Sequence, residues 1–214
     1  MGINERKERE KQKRRDDILD AAEKVFFTRG IENSTMDDVA EEAELSKGTL
    51  YLYFKSKEEI HWEISQRHMD KIQNDMEKAC DKSKNAVENL LAIAEVFIDH
   101  FNKEHAVAHS ILFFQSSDLS KLNLNQDQIC KAFLEDSPIH LVQKLVEEGI
   151  REGLIRDDIP ANALGSTLWA QLMGVLQIVI MKQELFELIN VRKEDILQSH
   201  IKIALNGVLK HEKT

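Results

Sequence analysis

Proline, glycine and cysteine are scarce: the 214 residues include two prolines, eight glycines and two cysteines, and aromatic residues make up 6%. So few turn-formers argue against a protein rich in strands and tight turns. Cys80 and Cys130 stand far apart with no metal-like spacing, which leaves them as reduced, packed thiols without assigned chemistry. There is no P-loop, no nucleophile elbow, no dinucleotide glycine fingerprint and no HExxH, so no enzyme class and no cofactor is indicated. The N-terminus is charged, no apolar run approaches the ~20 residues of a membrane span, and position 6 is Arg6 where a myristoylation signal needs Ser or Thr. A soluble, cytoplasmic chain with no membrane partner is expected.

What is present points to helices. Hydrophobic residues make up 42% of the chain, and Leu, Ile, Ala, Glu and Lys dominate. The length allows a small N-terminal module and a larger body. Net charge is −9, which alone argues against nucleic acid. Its distribution matters more, because residues 1–15 carry seven basic groups (Arg6, Lys7, Arg9, Lys11, Lys13, Arg14, Arg15) against Glu5, Glu8 and Glu10. That segment reads either as a basic arm lying beside a phosphate backbone or as a solvated tail.

From Asp16 the apolar positions Ile18, Leu19, Ala22, Val25 and Phe26 recur at helical spacing, and Gly30 ends the run. Thr35 followed by Asp38 is a capping-box start for a second helix of about ten residues, with Met36, Val39, Ala40 and Ala43 on one face. Ser46 opens a third, short helix with Leu45, Leu50 and Phe54 on its apolar side and Lys47, Thr49, Tyr51 and Tyr53 on the other. Ser56 and Glu59 start a long fourth helix ending near Cys80. Further helices are expected at roughly 85–102, 105–117, 126–153, 161–183 and 192–210.

Two short helices joined by a tight turn, the second with lysine, hydroxyl and aromatic groups outward, suit docking in a major groove. Gly48 permits close approach, Lys47 and Thr49 reach bases or phosphates, and Tyr51 and Tyr53 offer hydroxyls on rigid bodies. Ser56, Lys57 and the free amides of the fourth helix's first turn form a candidate phosphate clamp. Residues 1–60 hold 12 basic and 15 acidic groups, net −3, so attraction to DNA must come from a one-sided patch.

The run Thr35-Met-Asp-Asp-Val-Ala-Glu-Glu-Ala, then Leu45-Ser-Lys-Gly-Thr-Leu-Tyr-Leu-Tyr-Phe-Lys-Ser-Lys-Glu-Glu-Ile60, closely resembles the N-terminal signature of the TetR/AcrR family of bacterial and archaeal repressors. The resemblance covers positions 14–62. It implies an all-α protein: a basic arm (1–15), a three-helix DNA-binding domain (16–56) and a helical effector-binding and dimerisation domain (57–214). It further implies a homodimeric regulator, of repressor type, on a pseudo-palindromic double-stranded DNA operator, released when a small hydrophobic effector binds. By that likeness Thr35 and Ser46 touch phosphates, Lys47, Gly48 and Thr49 face base edges, and Tyr51, Tyr53 and Lys57 grip the backbone. Where the family has glycine in the turn this chain has Glu44, so either Glu44 is left-handed, at ~1–2 kcal/mol, or the turn is rearranged.

For the body, the candidate effector-pocket residues are Trp62, Phe97, Phe101, Phe113, Phe114, Trp169 and Met173, with plain core packing as the alternative. Leu164, Leu168, Leu172 and Leu176, with Ile196, Ile201, Ala204 and Val208, are the expected dimer interface, against burial inside one subunit. His105 and His109 stand four apart, but no third ligand is assured and no metal site is assigned. The rival class is a helical protein-interaction module without sequence-specific DNA binding.

Overall fold

A computed structural model describes residues 2–103, 108, 111–112 and 137–210. His105, His109, Phe113, Phe114 and Cys130 lie outside these residues, as do most of the helix expected over 105–117 and the start of that over 126–153. The described elements are helices: α1 (Ile3–Arg29), α2 (Met36–Glu42), α3 (Lys47–Tyr53), α4 (Lys57–Ala79), α5 (Ala86–Lys103), α6 (Pro138–Arg151), α7 (Ala161–Met181), α8 (Gln183–Leu188) and α9 (Lys193–Val208). Among the described residues, those up to Arg67 form one compact unit and those from His68 another. The division falls inside α4, not at position 56, because Ile60 and Ile64 of α4 belong to the N-terminal core.

In the N-terminal unit, residues 1–15 are not a separate flexible arm: α1 is helical from Ile3. No glycine or proline interrupts 3–29, and four-residue pairs such as Arg6–Glu10 (2.8 Å) and Gln12–Asp16 (3.0 Å) support its charged, exposed first half. Its second half buries Ile18, Leu19, Ala22 and Val25 against Val39 and Ala40 of α2 and Leu50 and Phe54 at α3. Gly30, at φ +75°, closes α1 by donating its N–H to the Phe26 carbonyl at 2.9 Å.

In the C-terminal unit α6 packs on α5 and α7, and α9 packs on α7, around Ile93, Phe97, Leu145, Val146, Leu164 and Leu176. At Gly165 α6 and α7 are in close contact: a Cβ there would lie 2.8 Å from Gln143 Cγ and 2.9 Å from its Cα. The α6–α7 loop folds back on the end of α9, with Arg156 N–H donating to the Val208 carbonyl and Lys210 N–H to the Leu154 carbonyl, both at 2.9 Å. The expected single helix to 183 instead breaks at Lys182 and continues as the short α8.

Contrary to the expectation from the sequence, one apolar run does reach membrane-spanning length: α7 has 21 residues, and its most apolar 18 have a mean hydropathy of 1.6. Its apolarity has a packing reason, since it meets both α6 and α9 and buries Leu164, Met173, Leu176 and Val179.

Candidate nucleic-acid interface and ligand cleft

Paired caps build the turn between α2 and α3. Thr35 accepts the Asp38 N–H at 3.2 Å while Thr35 N–H donates to the Asp38 carboxylate at 2.8 Å, the reciprocal pair that fixes the start of α2. The Thr35 hydroxyl, which donates to the same carboxylate at 2.7 Å, then the Thr35 N–H and the nearby Arg29 hold the Asp38 carboxyl below its ordinary value. Glu44 adopts the left-handed conformation, φ +55°, so the turn is kept and Glu44 bears its strain. Leu45 N–H then donates to the Ala40 carbonyl at 2.8 Å, and Ser46 caps α3 by accepting the Thr49 N–H at 3.1 Å.

With Leu50 and Phe54 fully buried, α3 turns an outward ridge made of Ser46, Lys47, Gly48, Tyr51 and Leu52, with Thr49 and Tyr53 half-buried at its flanks. No neighbouring atom lies closer to the Cβ position of Gly48 than the Ser46 hydroxyl, at 3.9 Å, so the ridge is open there. Leu52 is 79% exposed, and the sequence reading missed it because a leucine in an amphipathic segment is assigned to the core by default. Lys47 is paired with Asp37 across the turn at 2.7 Å, and that carboxylate holds its ammonium above the usual lysine value. Any phosphate that engages Lys47 exchanges with Asp37.

Lys57, expected in a phosphate clamp at the start of α4, has partners within the N-terminal unit. All three donors of the Lys57 ammonium are taken by the carbonyls of Ile31 (2.8 Å), Glu32 (3.1 Å) and Ser34 (3.0 Å), so Lys57 ties α4 to the α1–α2 loop. Ser56 caps the same turn through the Glu59 N–H at 3.2 Å. Arg15, read from sequence as part of the basic arm, is another internal tie: it grips the Glu63 carboxylate, donates to the Tyr53 carbonyl at 3.0 Å and lies 4.2 Å over the Phe54 ring. Long-range partners such as these leave no trace in local sequence.

The C-terminal unit contains a half-open cleft with an almost wholly apolar lining. Phe97 and Trp169 line it with ring centroids 4.9 Å apart. The other described candidates do not: Phe101 stacks behind Phe97 at 4.7 Å, Met173 is core, and Trp62 is buried on α4 before Arg67. Leu168, Leu172, Ile201 and Ala204, expected at a subunit interface, line the cleft beside His200. Burial pushes the His200 imidazole below its ordinary value.

Leu164, Leu176 and Val208, also expected at that interface, are buried in their own subunit, and Ile196 is half-buried. α7 is apolar on nearly every side, so sequence could not say which side α6 takes. The outward apolar residues of α7 and α9 are Ile178, 54% exposed, and Ile203, 72% exposed. Among the described residues no cluster of three metal-ligating side chains occurs, and His100 is bonded to Asp75 at 3.1 Å.

Residues 18–63 match the family described as "Bacterial regulatory proteins, tetR family", and residues 65–201 match "YsiA-like protein, C-terminal region". The HTH-type transcriptional regulator YhgD of Bacillus subtilis (strain 168) is 33% identical over 143 residues, 65% of this chain and 70% of that protein. The fatty acid metabolism regulator protein of the same organism is 25% identical over 172 residues, 80% of this chain and 86% of that protein. The solved structure of the transcriptional regulator FadR from Bacillus subtilis in complex with stearoyl-CoA shares the fold, with a TM-score of 0.71 at 20% identity over 89% of this chain and 97% of that one. The capped turn and open α3 ridge thus stand in a chain matched at both its N-terminal and C-terminal parts, and the protein belongs to the TetR family of helix-turn-helix, DNA-binding transcriptional regulators.

Proposed function

We propose that α3 enters the major groove of a pseudo-palindromic operator, with Lys47, Gly48, Thr49 and Leu52 toward base edges and Thr35, Ser46, Tyr51 and Tyr53 toward phosphates. Lys57 is left out of the contact set because its ammonium is already fully engaged. The observation that carries this reading is the one-sided α3, with Leu50 and Phe54 buried beneath a ridge in which Ser46, Lys47, Gly48, Tyr51 and Leu52 are exposed. Fluorescence anisotropy on operator duplex tests it: Lys47→Ala and Tyr53→Phe each weaken specific binding without lowering the melting temperature. Unchanged affinity in both removes the docking surface.

The regulator is ligand-responsive, and the cleft supports a long acyl chain as the effector, because its lining is apolar and a relative covering 80% of the chain is a fatty acid metabolism regulator. The ligand must favour the state that does not bind DNA. Helix α4 offers a route for that preference, since it supplies Met76 to the cleft and Ile60 and Ile64 to the core beneath α3. Acyl-CoA added to the operator complex releases the DNA, and Leu172→Trp, which fills the cleft, blocks release; release unaffected by that change sinks the assignment.

Two subunits place their recognition helices about 34–36 Å apart, one turn of the duplex. The outward isoleucines Ile178 and Ile203 are the proposed subunit contact. Sedimentation gives a dimer for the native protein and a monomer for Ile178→Asp with Ile203→Asp; a native monomer at micromolar concentration refutes it. Work on an operator also places the protein in the cytoplasm.

A further inference from the structure

His200 is the one ionisable side chain among the described residues lining the cleft. The faces that α4, α5, α6 and α7 turn toward the space supply apolar side chains and the Trp169 indole, and α9 adds only Ile201, Ala204 and Leu205 beside it. No described residue accepts a hydrogen bond from the His200 ring or donates one to it. A half-buried imidazole facing an apolar space is a hydrogen-bonding group waiting for a partner, and such isolated polar groups are what orient a ligand in an otherwise greasy site.

The cleft also restricts what that partner can be. A carboxylate brought into it would lose its hydration with no resident cation to offset the loss. His200 could supply a charge only by taking up a proton, and its burial opposes that. An uncharged carbonyl oxygen needs nothing more than the N–H that a neutral imidazole already carries.

We propose that His200 selects the head of the ligand, donating a hydrogen bond to the uncharged carbonyl of an acyl thioester or ester and discriminating against the free fatty acid. This rests on the acyl-chain reading of the cleft and adds to it the chemistry of the polar end. The regulator then responds to the activated form of an acyl chain and not to the free acid.

The test is calorimetric titration of the full-length protein with S-lauroyl-N-acetylcysteamine and with laurate, two ligands with the same tail. The native protein binds the thioester about tenfold more tightly, the worth of one well-formed hydrogen bond. In His200→Leu the two affinities converge while both ligands still bind through the tail; His200→Gln, which keeps a neutral donor, retains the preference. As pH falls through the imidazole's depressed range, below the ordinary 6.5, the native preference shifts toward laurate by more than that of His200→Gln, the shift common to both being protonation of laurate itself. The pH comparison decides the matter even if His200→Leu misfolds. Equal binding by the native protein, or a preference that survives in a folded His200→Leu, overturns the role of His200 while leaving the acyl reading intact. Binding of neither ligand overturns both.

Discussion

The two units are specified in different ways. The N-terminal unit is held by addressed polar contacts: a reciprocal cap at Thr35 and Asp38, a second cap at Ser46, and the ties made by Lys57 and Arg15. The C-terminal unit is held by burial, with long helices meeting at a bare glycine contact and enclosing an apolar cleft. Directional bonds fix a surface that must match a duplex to within an ångström or so. Apolar packing tolerates change and can leave room for a ligand. The difference between the units is the difference between reading DNA and accommodating an effector.

The largest effect expected from breaking this contrast is at Phe54, which is fully buried beneath α3. Phe54→Ala costs about 3–5 kcal/mol and abolishes operator binding. Acyl ligand binding by the same variant measures how independent the C-terminal unit is. Gly165→Val attacks the other unit, because the new side chain meets the Gln143 backbone. A loss of about 1–3 kcal/mol is expected. Chemical denaturation followed at Trp169 reads it, and an unchanged midpoint would mean that the helices separate freely.

Lys57→Met distinguishes a tie from a phosphate contact. Operator affinity falls about tenfold as the α1–α2 loop loosens, and the slope of log affinity against log salt is unchanged. A slope reduced by about one unit would instead make Lys57 a DNA contact. Glu44→Gly relieves the left-handed turn and stabilises the protein by about 1 kcal/mol, with tighter DNA binding from the lost negative charge. A lower melting temperature contradicts the strain assigned to Glu44.

The smallest effect is at Asp38. Its folded-state pKa is depressed below 3.8, so its stabilisation is present above that value and fades as pH falls through the folded pKa. Asp38→Asn shows a shallower acid limb in its stability curve, and an unaltered limb would deny the cap that role.

Legibility in the sequence follows the same division. Thr35 with Asp38, Ser46 with Thr49, and the spacing of Leu50 and Phe54 are short-range signals, each encoded within a turn or two of chain, and the helix-turn-helix could be read from them. Glu44 was recognisable as a misfit, but only its φ of +55° decided between strain and rearrangement. Arg15 was read as part of an arm or a tail and Lys57 as a phosphate contact; their partners in the fold lie 48 and 26 residues away, at Glu63 and Ile31.

In the body, α7 carries apolar residues on nearly every side, so its sequence does not declare which side packs against which neighbour. Its close contact with α6, and the cleft it shares with α5 and α9, are settled only once the helices are packed. The amino-acid order by itself determined the helices, their caps and the groove-reading segment, since these depend on neighbours a few residues apart. Which cations are spent internally, which leucines line the cleft, and that His200 is the one ionisable group among the described residues lining it were decided by tertiary structure, because those facts join residues the chain keeps far apart.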